Sequence, residues 1–439
     1  SENRELILIC GQLHALSAKY WKDKDFEKSA LEIPLTSGPY RIASFDAGRS
    51  ITYARVPDYW AKDLPVNVGH YNFDIYQVDY YRDDTVALEA LKAGQIDFRW
   101  ERTANAWFSS YDIPAVKNGH LIKEELPDHS PRGMSSFILN LRRPPFDNMQ
   151  FRQALSYAFD FEWTNRNIFH NSYTRVDSYF FNSELASSGL PEGRELEILL
   201  PYKDQLPSSV FTQPFENPKT DGTGNNRDNL RKAQELLKQA GYVIKQGKLI
   251  DPKTNRQVTF EILERESSFE RVVNPYIQNL KRLGIDASIR MVDVSQYLNR
   301  VRSFDFDIVI IPRQPITSPG NEQRDYWSSA SADQADSSNY GGVKNPVVDQ
   351  LVELVVNAPN REELVVRTRA LDRVLLHHHY VVPLYTVLSH RLAYWNKFSR
   401  PEIGPKYDPR FTTAIHTWWI DPEKERRLAK QPAAKTKAE

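Results

Sequence analysis

Arg313, Glu322, Arg324, Asp325 and Trp327 bring two guanidinium groups, two carboxylates and an indole into one short stretch of the chain. A guanidinium presents a planar fork of donors that matches a carboxylate through two parallel hydrogen bonds. Arg313 stands just beyond the run Phe306 to Ile311 (FDIVII), and pairing with an external carboxylate or with Glu322 or Asp325 is equally open. His377, His378 and His379 are consecutive on a predicted helix end, where neighbours diverge by roughly 100° and cannot converge on one ion. Surface placement or interaction with the C-terminal helix dipole is expected for them. The glycine-rich stretch Asp221 to Asn226 (DGTGNN) lacks the Lys-Ser/Thr of a phosphate cradle. Neither a Gly-x-Ser-x-Gly elbow nor a His-Glu-x-x-His pair occurs. No catalytic residue, metal or cofactor is expected.

Composition narrows the partners. The 439 residues carry 57 Lys+Arg and 57 Asp+Glu, so no net field draws nucleic acid or an anionic membrane. The 22 Tyr and 9 Trp supply broad apolar faces with polar edges, suited to ligand contact or to core packing. Cys10 is alone, so no internal disulfide forms and the redox compartment stays open. No apolar run reaches the ~18 residues of a membrane span, and SENRELILICGQ is too short in apolar core for a signal peptide. The length favours two or three domains.

The elements that position these residues read in order. Tyr40 to Phe45 and Ser50 to Val56 alternate around the Ala47-Gly48 turn and predict a hairpin. Asp84 or Thr85 caps a short helix that Gly94 stops before the strand Ile96 to Phe98. From Phe151 the spacing becomes helical, and Asp160 is placed to cap a following helix through Ile168. Helices with apolar positions from Leu230 to Ala240 and from Val273 to Leu283 alternate with strands Val258 to Leu263 and Ala287 to Val292. FDIVII then reads as a strand covered on both faces. Asn360 and Glu363 have capping-box spacing before a helix that ends near the histidines. The stretches 203–228 and 312–345 are predicted to be functional loops or disorder, and 423–439 a solvated tail.

Gly38 to Trp60 (GPYRIASFDAGRSITYARVPDYW) resembles the family 5 extracellular solute-binding proteins of ABC transporters, as do Ala87 to Phe98 (ALEALKAGQIDF) and Phe137 to Asp160 (FILNLRRPPFDNMQFRQALSYAFD) in the same order. Ser318 to Trp327 and Thr368 to Tyr385 resemble the branch that includes the microcin C and oligopeptide binding protein of enteric bacteria. The resemblance implies an α/β, two-lobed periplasmic binding protein fold (class II, Venus-flytrap). It places lobe one at residues 1–136 and 311–422 and lobe two at 137–310, with crossings near Ser136 to Leu141 and Phe304 to Ile311. Family members carry a further segment ahead of the equivalent of Ser1, so the N-terminal part of lobe one is expected to be absent here.

The implied activity is capture of peptides or peptide-like compounds in an inter-lobe cleft and delivery to the permease subunits, with a periplasmic location, no catalysis and no nucleic acid. Such a site must replace the water on a peptide backbone and its charged ends, because each unpaired buried polar group costs about 1–3 kcal/mol. Arg313 and the loop holding Glu322, Arg324, Asp325 and Trp327 are the expected contacts. Asn140 and Arg142 are candidates for strand-edge bonding, with hinge structure as the competing role, and Tyr340, Tyr385 and Trp395 are candidate walls. Relatives use an aspartate in a Trp-x-x-Asp-like segment for the peptide amine, and the stretch PRQPITSPGNEQ has none at the matching place. Another solute, such as a sugar, opine or metal chelate, is the alternative ligand. A hydrolase or a chaperone-like holder ranks below.

Overall fold

Ile308–Pro312 is the middle strand of a five-stranded sheet, which explains why its sequence does not alternate. Strand order across the sheet is Asp286–Met291, Thr259–Glu264, Ile308–Pro312, Ser135–Leu139, Val381–Pro383. Ser135–Leu139 runs antiparallel to both its neighbours, and the remaining four strands share one direction. On one face Ile138, Leu263, Val309 and Val381 meet helices Val294–Arg302, Pro346–Val356 and Arg361–His377. On the other, Phe137 stacks on Tyr276 of helix Glu270–Arg282, with ring centroids 4.9 Å apart, and the Tyr276 hydroxyl donates to the Leu155 carbonyl of helix Met149–Ala158.

The computed structural model describes residues 6–25, 27–28, 31–405, 407 and 411–429. The chain forms two compact units, Ser1–Cys10 with Pro131–Val387, and Gly11–Ser130 with Leu388–Glu439. These units are divided differently from the lobes expected from sequence. The stretch 311–387 stays with 131–310 and does not join 11–130. Ile308–Pro312 lies inside the sheet, the next two long helices cover one face of it, and Val381–Pro383 adds to its edge before the chain leaves. The first crossing likewise falls at Ser130/Pro131, ahead of Ser136.

Local signals are realised with small shifts. Asp160 accepts from the Trp163 N–H (3.0 Å) and Asn360 from the Glu363 N–H (2.9 Å), as the capping patterns predict. Helix Asp84–Lys92 is capped by Asp83 rather than Asp84 or Thr85, through bonds from the Thr85 and Val86 amides. The stretch 312–345 is built rather than loose: the Asn339 amide donates to the Ser328 and Val343 carbonyls and accepts from the Val343 N–H. Pro422–Ala429 is a helix capped by Asp421, although a solvated tail was expected from 423; residues 430–439 lie outside the described ones.

The second unit has two three-stranded sheets. One is the expected hairpin, Tyr40–Asp46 and Ser50–Arg55, extended by Ile75–Asp79. The other places Ser389–Trp395 between Phe98–Glu101 and Leu121–Pro127.

The three histidines depart from expectation. The end of helix Arg361–His377 is enclosed, and His377 is 3% exposed. Its Nδ1 lies 3.0 Å from Ser209 Oγ, its Nε2 is buried without a partner, and burial holds the imidazole down at about 4. His378 stacks on Tyr380, and the half-buried His379 takes a positive φ of 51° that ends the helix. No group of three or more His, Cys, Asp or Glu side chains able to hold a metal ion occurs among the described residues. A neutral His377 gives a signed prediction. Its folded pKa lies below the unfolded value, so its contribution to stability is complete above pH 6.5 and is lost as the pH falls toward 4, by ~3 kcal/mol in all. The stability difference between the wild type and His377→Gln, followed by urea melts from pH 7 to 4.5, therefore narrows on acidification. A difference that stays constant rules this out.

Candidate functional site

The four codirectional strands end at the same edge of the sheet, and Ser135–Leu139 begins there. In open α/β sheets ligands bind outside the carboxyl ends of the strands, where side chains leave the sheet without a pairing partner above them. Arg313, Glu264 and Tyr385 stand at this edge, each at or just after a strand end.

Arg313 is held by backbone and rings rather than by charge. Its N–H donates to the Met134 carbonyl (3.1 Å), and its own carbonyl passes so close to Gly133 that an added Cβ would lie 2.0 Å away, so only glycine fits there. The half-buried guanidinium lies 4.3 Å from the Trp327 ring, 4.8 Å from Tyr326 and 5.9 Å from Tyr340. Among the described residues its one side-chain hydrogen bond is a long contact, 3.4 Å, to the Ser338 carbonyl. Burial lowers its pKa. No carboxylate comes within ion-pair distance among the described residues. Glu322 accepts instead from the Gly320 N–H (2.8 Å), and Asp325 from the Ser338 N–H (3.1 Å). Tyr179 packs edge-on against Trp327 (4.9 Å), and its hydroxyl is buried without a hydrogen-bond partner.

The other sequence candidates are bound into structure. Asn140 is fully buried, donating to the Phe304 and Phe306 carbonyls (3.0 and 2.7 Å) and accepting from Arg142. Arg142 donates to the carbonyls of Ala332, Asn339 and Tyr340 and lies 3.8 Å from the Phe304 ring, so it pins the 332–340 segment. Arg324 makes a two-pronged exposed ion pair with Glu353 (2.6 and 2.7 Å). Trp327 is 3% exposed, its face given to Arg313. Trp395 belongs to the second unit, where its indole donates to the Leu91 carbonyl (2.9 Å) and its ring covers Gly94. Tyr385 packs among Phe169 (4.6 Å) and Tyr173 (5.3 Å).

Four residues escaped the sequence reading. Tyr179 and Tyr326 complete the aromatic surroundings of Arg313, and Glu264 ends the strand read only as far as Leu263. Arg175, in register with Tyr385, donates to the Pro218 carbonyl (2.6 Å), while Nε and Nη2 are buried without a partner and burial pushes the group down to about 10. For Arg175 the available signal was a charged residue among aromatic ones, and for Glu264 a charged residue closing an apolar strand.

A model of the bacterial extracellular solute-binding proteins, family 5 Middle, matches residues 5–335. The chain is 47% identical over 426 residues to the "Probable peptide-binding protein YejA" of Agrobacterium fabrum, covering 95% of this chain and 69% of that protein. It is 40% identical to the "Uncharacterized protein YejA" of Escherichia coli over 437 residues, 99% of this chain and 71% of that one. The chain thus spans about two thirds of the length of the curated relatives it matches, from 64% to 71% for the first three. Among solved structures, it superposes on the oligopeptide-binding protein AppA of Bacillus subtilis, in complex with a nonapeptide, with a TM-score of 0.64 at 17% identity, covering 92% of this chain and 71% of that one. That likeness gives the α/β fold of the periplasmic binding proteins. The chain belongs to the family 5 extracellular solute-binding proteins, the substrate-binding and non-enzymatic components of ABC importers.

Proposed function

We propose that this protein captures peptides or peptide-like compounds outside the cytoplasm, in the periplasm, and hands them to the permease subunits of an ABC importer. The observation that carries the reading is Arg313: a cation with no carboxylate within ion-pair distance among the described residues, boxed by three aromatic rings at the carboxyl edge of the sheet. A ligand carboxylate supplies the missing charge in two parallel bonds, and the rings take apolar side chains beside it. The name of the Agrobacterium relative supports the same ligand class. Peptide conjugates of the microcin C kind fall within it, since they present the same backbone. Sugars lack the carboxylate that Arg313 calls for, while opines and chelates offer one without a peptide backbone.

The test is mass spectrometry of material released by denaturing the purified protein after incubation with bacterial extract. Peptide masses are the expected result. Recovery of a sugar or a metal chelate instead overturns the peptide assignment.

A further inference from the structure

Glu264 is a second charged group at this edge with no ion pair among the described residues. It ends the strand next to Ile308–Pro312 and is 4% exposed. Its Oε1 accepts from the N–H groups of Arg265 (2.8 Å) and Glu266 (3.1 Å); no other donor and no cation reaches the carboxylate among the described residues. Arg265, the adjacent cation, pairs with Glu266 at 3.7 Å and lies 5.1 Å from the Tyr297 ring; burial of the Glu264 carboxyl raises its pKa and outweighs the Arg265 charge, which favours the ionised form. The Tyr297 hydroxyl is spent on the Ile310 carbonyl (2.9 Å). Glu264 lies close enough to Tyr297 and Tyr385 to strengthen the hold of both phenols on their protons. Buried carboxylates are ordinarily paired, because an uncompensated one forfeits its hydration for nothing.

We propose that Glu264 is the counter-ion for an ammonium group of the bound ligand, set at the end of the strand beside the one that leads into Arg313. The inference rests on the peptide reading above and deepens it: one edge then offers an anion to the ligand's amine and a cation to its carboxylate. The competing role, capping the 265–266 turn, needs only Oε1. Glu264→Gln keeps that acceptor and the volume and removes the charge.

The experiment offers the whole protein an equimolar mixture of one casein digest before and after complete acetylation of its amines, and counts retained peptides by mass spectrometry. The wild type is expected to retain unmodified over acetylated peptides by at least about tenfold, the ratio worth ~1.4 kcal/mol, and Glu264→Gln to retain both alike. Glu264→Asp, charged but one methylene shorter, keeps a reduced preference. Equal retention by the wild type, or an unchanged preference in Glu264→Gln, overturns the inference and leaves peptide capture standing. Retention of neither set overturns the peptide reading and this inference with it.

Discussion

Arg313→Met is expected to weaken binding of peptides with a free carboxyl terminus by about 10- to 100-fold and to leave their amidated counterparts unaffected, as read by titration calorimetry. The magnitude is that of a charge-assisted hydrogen-bond pair, ~1.5–3 kcal/mol. The variant should fold, because Arg313 gives up one long contact to the Ser338 carbonyl and its cation–π contacts, while methionine still fills the space between Tyr326, Trp327 and Tyr340 and keeps a sulfur against the rings. Its melting temperature should equal or exceed that of the wild type, since a half-buried cation with no ion pair among the described residues costs stability in the free protein. Arg313→Lys keeps a cation near the rings but loses the planar fork, and falls between the two. A purely structural Arg313 gives the opposite pattern: a lowered melting temperature and an unchanged ratio of free to amidated affinity. That outcome removes Arg313 from the site.

How much of this was legible depended on the range of the interaction. Periods and caps are local, so the helix after Asp160, the helix after Asn360 and the buried strand at FDIVII could be read directly. The unit boundary could not. Nothing within 311–387 says which sheet its helices cover; that is settled by Val309 and Ile138 meeting Val348, Leu351 and Leu371 across long sequence separations. The same limit left Asn140 and Arg142 open between strand-edge bonding and hinge structure. The groups that take up their donors lie far along the chain, at 304–306 and 332–340. The histidines were misplaced because a helix end is normally wet, whereas here every residue from Ala370 to His377 is buried. Arg313 could be singled out as a candidate because a charged residue beyond an apolar run is a local signal. Its lack of an internal partner is a distant fact, and only the positions of Glu322 and Asp325 reveal it.

Arg373→Met is expected to cost the fold ~3–5 kcal/mol, or roughly 6–12 °C in melting temperature for a unit of this size. The guanidinium is 1% exposed and donates to Glu195 (2.7 Å) and to the carbonyls of Gly189 (2.7 Å) and Ser188 (3.0 Å). Removing it strands a buried carboxylate and two acceptors at once. The double variant Arg373→Met, Glu195→Met separates these losses: it restores the part owed to the unpaired carboxylate and not the part owed to the carbonyls, so about half the loss should return. The effect reaches the candidate site through one segment. The preceding residue, Asp372, takes the Ser178 hydroxyl (2.9 Å), the Tyr179 N–H (2.8 Å) and the Ser187 N–H (2.9 Å), so the same helical turn holds both ends of the 178–189 stretch that sets Tyr179 against Trp327. Loosening that stretch lets Tyr179 and Trp327 drift from Arg313, and ligand affinity should fall in Arg373→Met even well below its melting temperature. A variant that melts within ~2 °C of the wild type would mean that the ion pair and its carbonyl bonds are replaced by water without loss, and that the segment is held by packing alone.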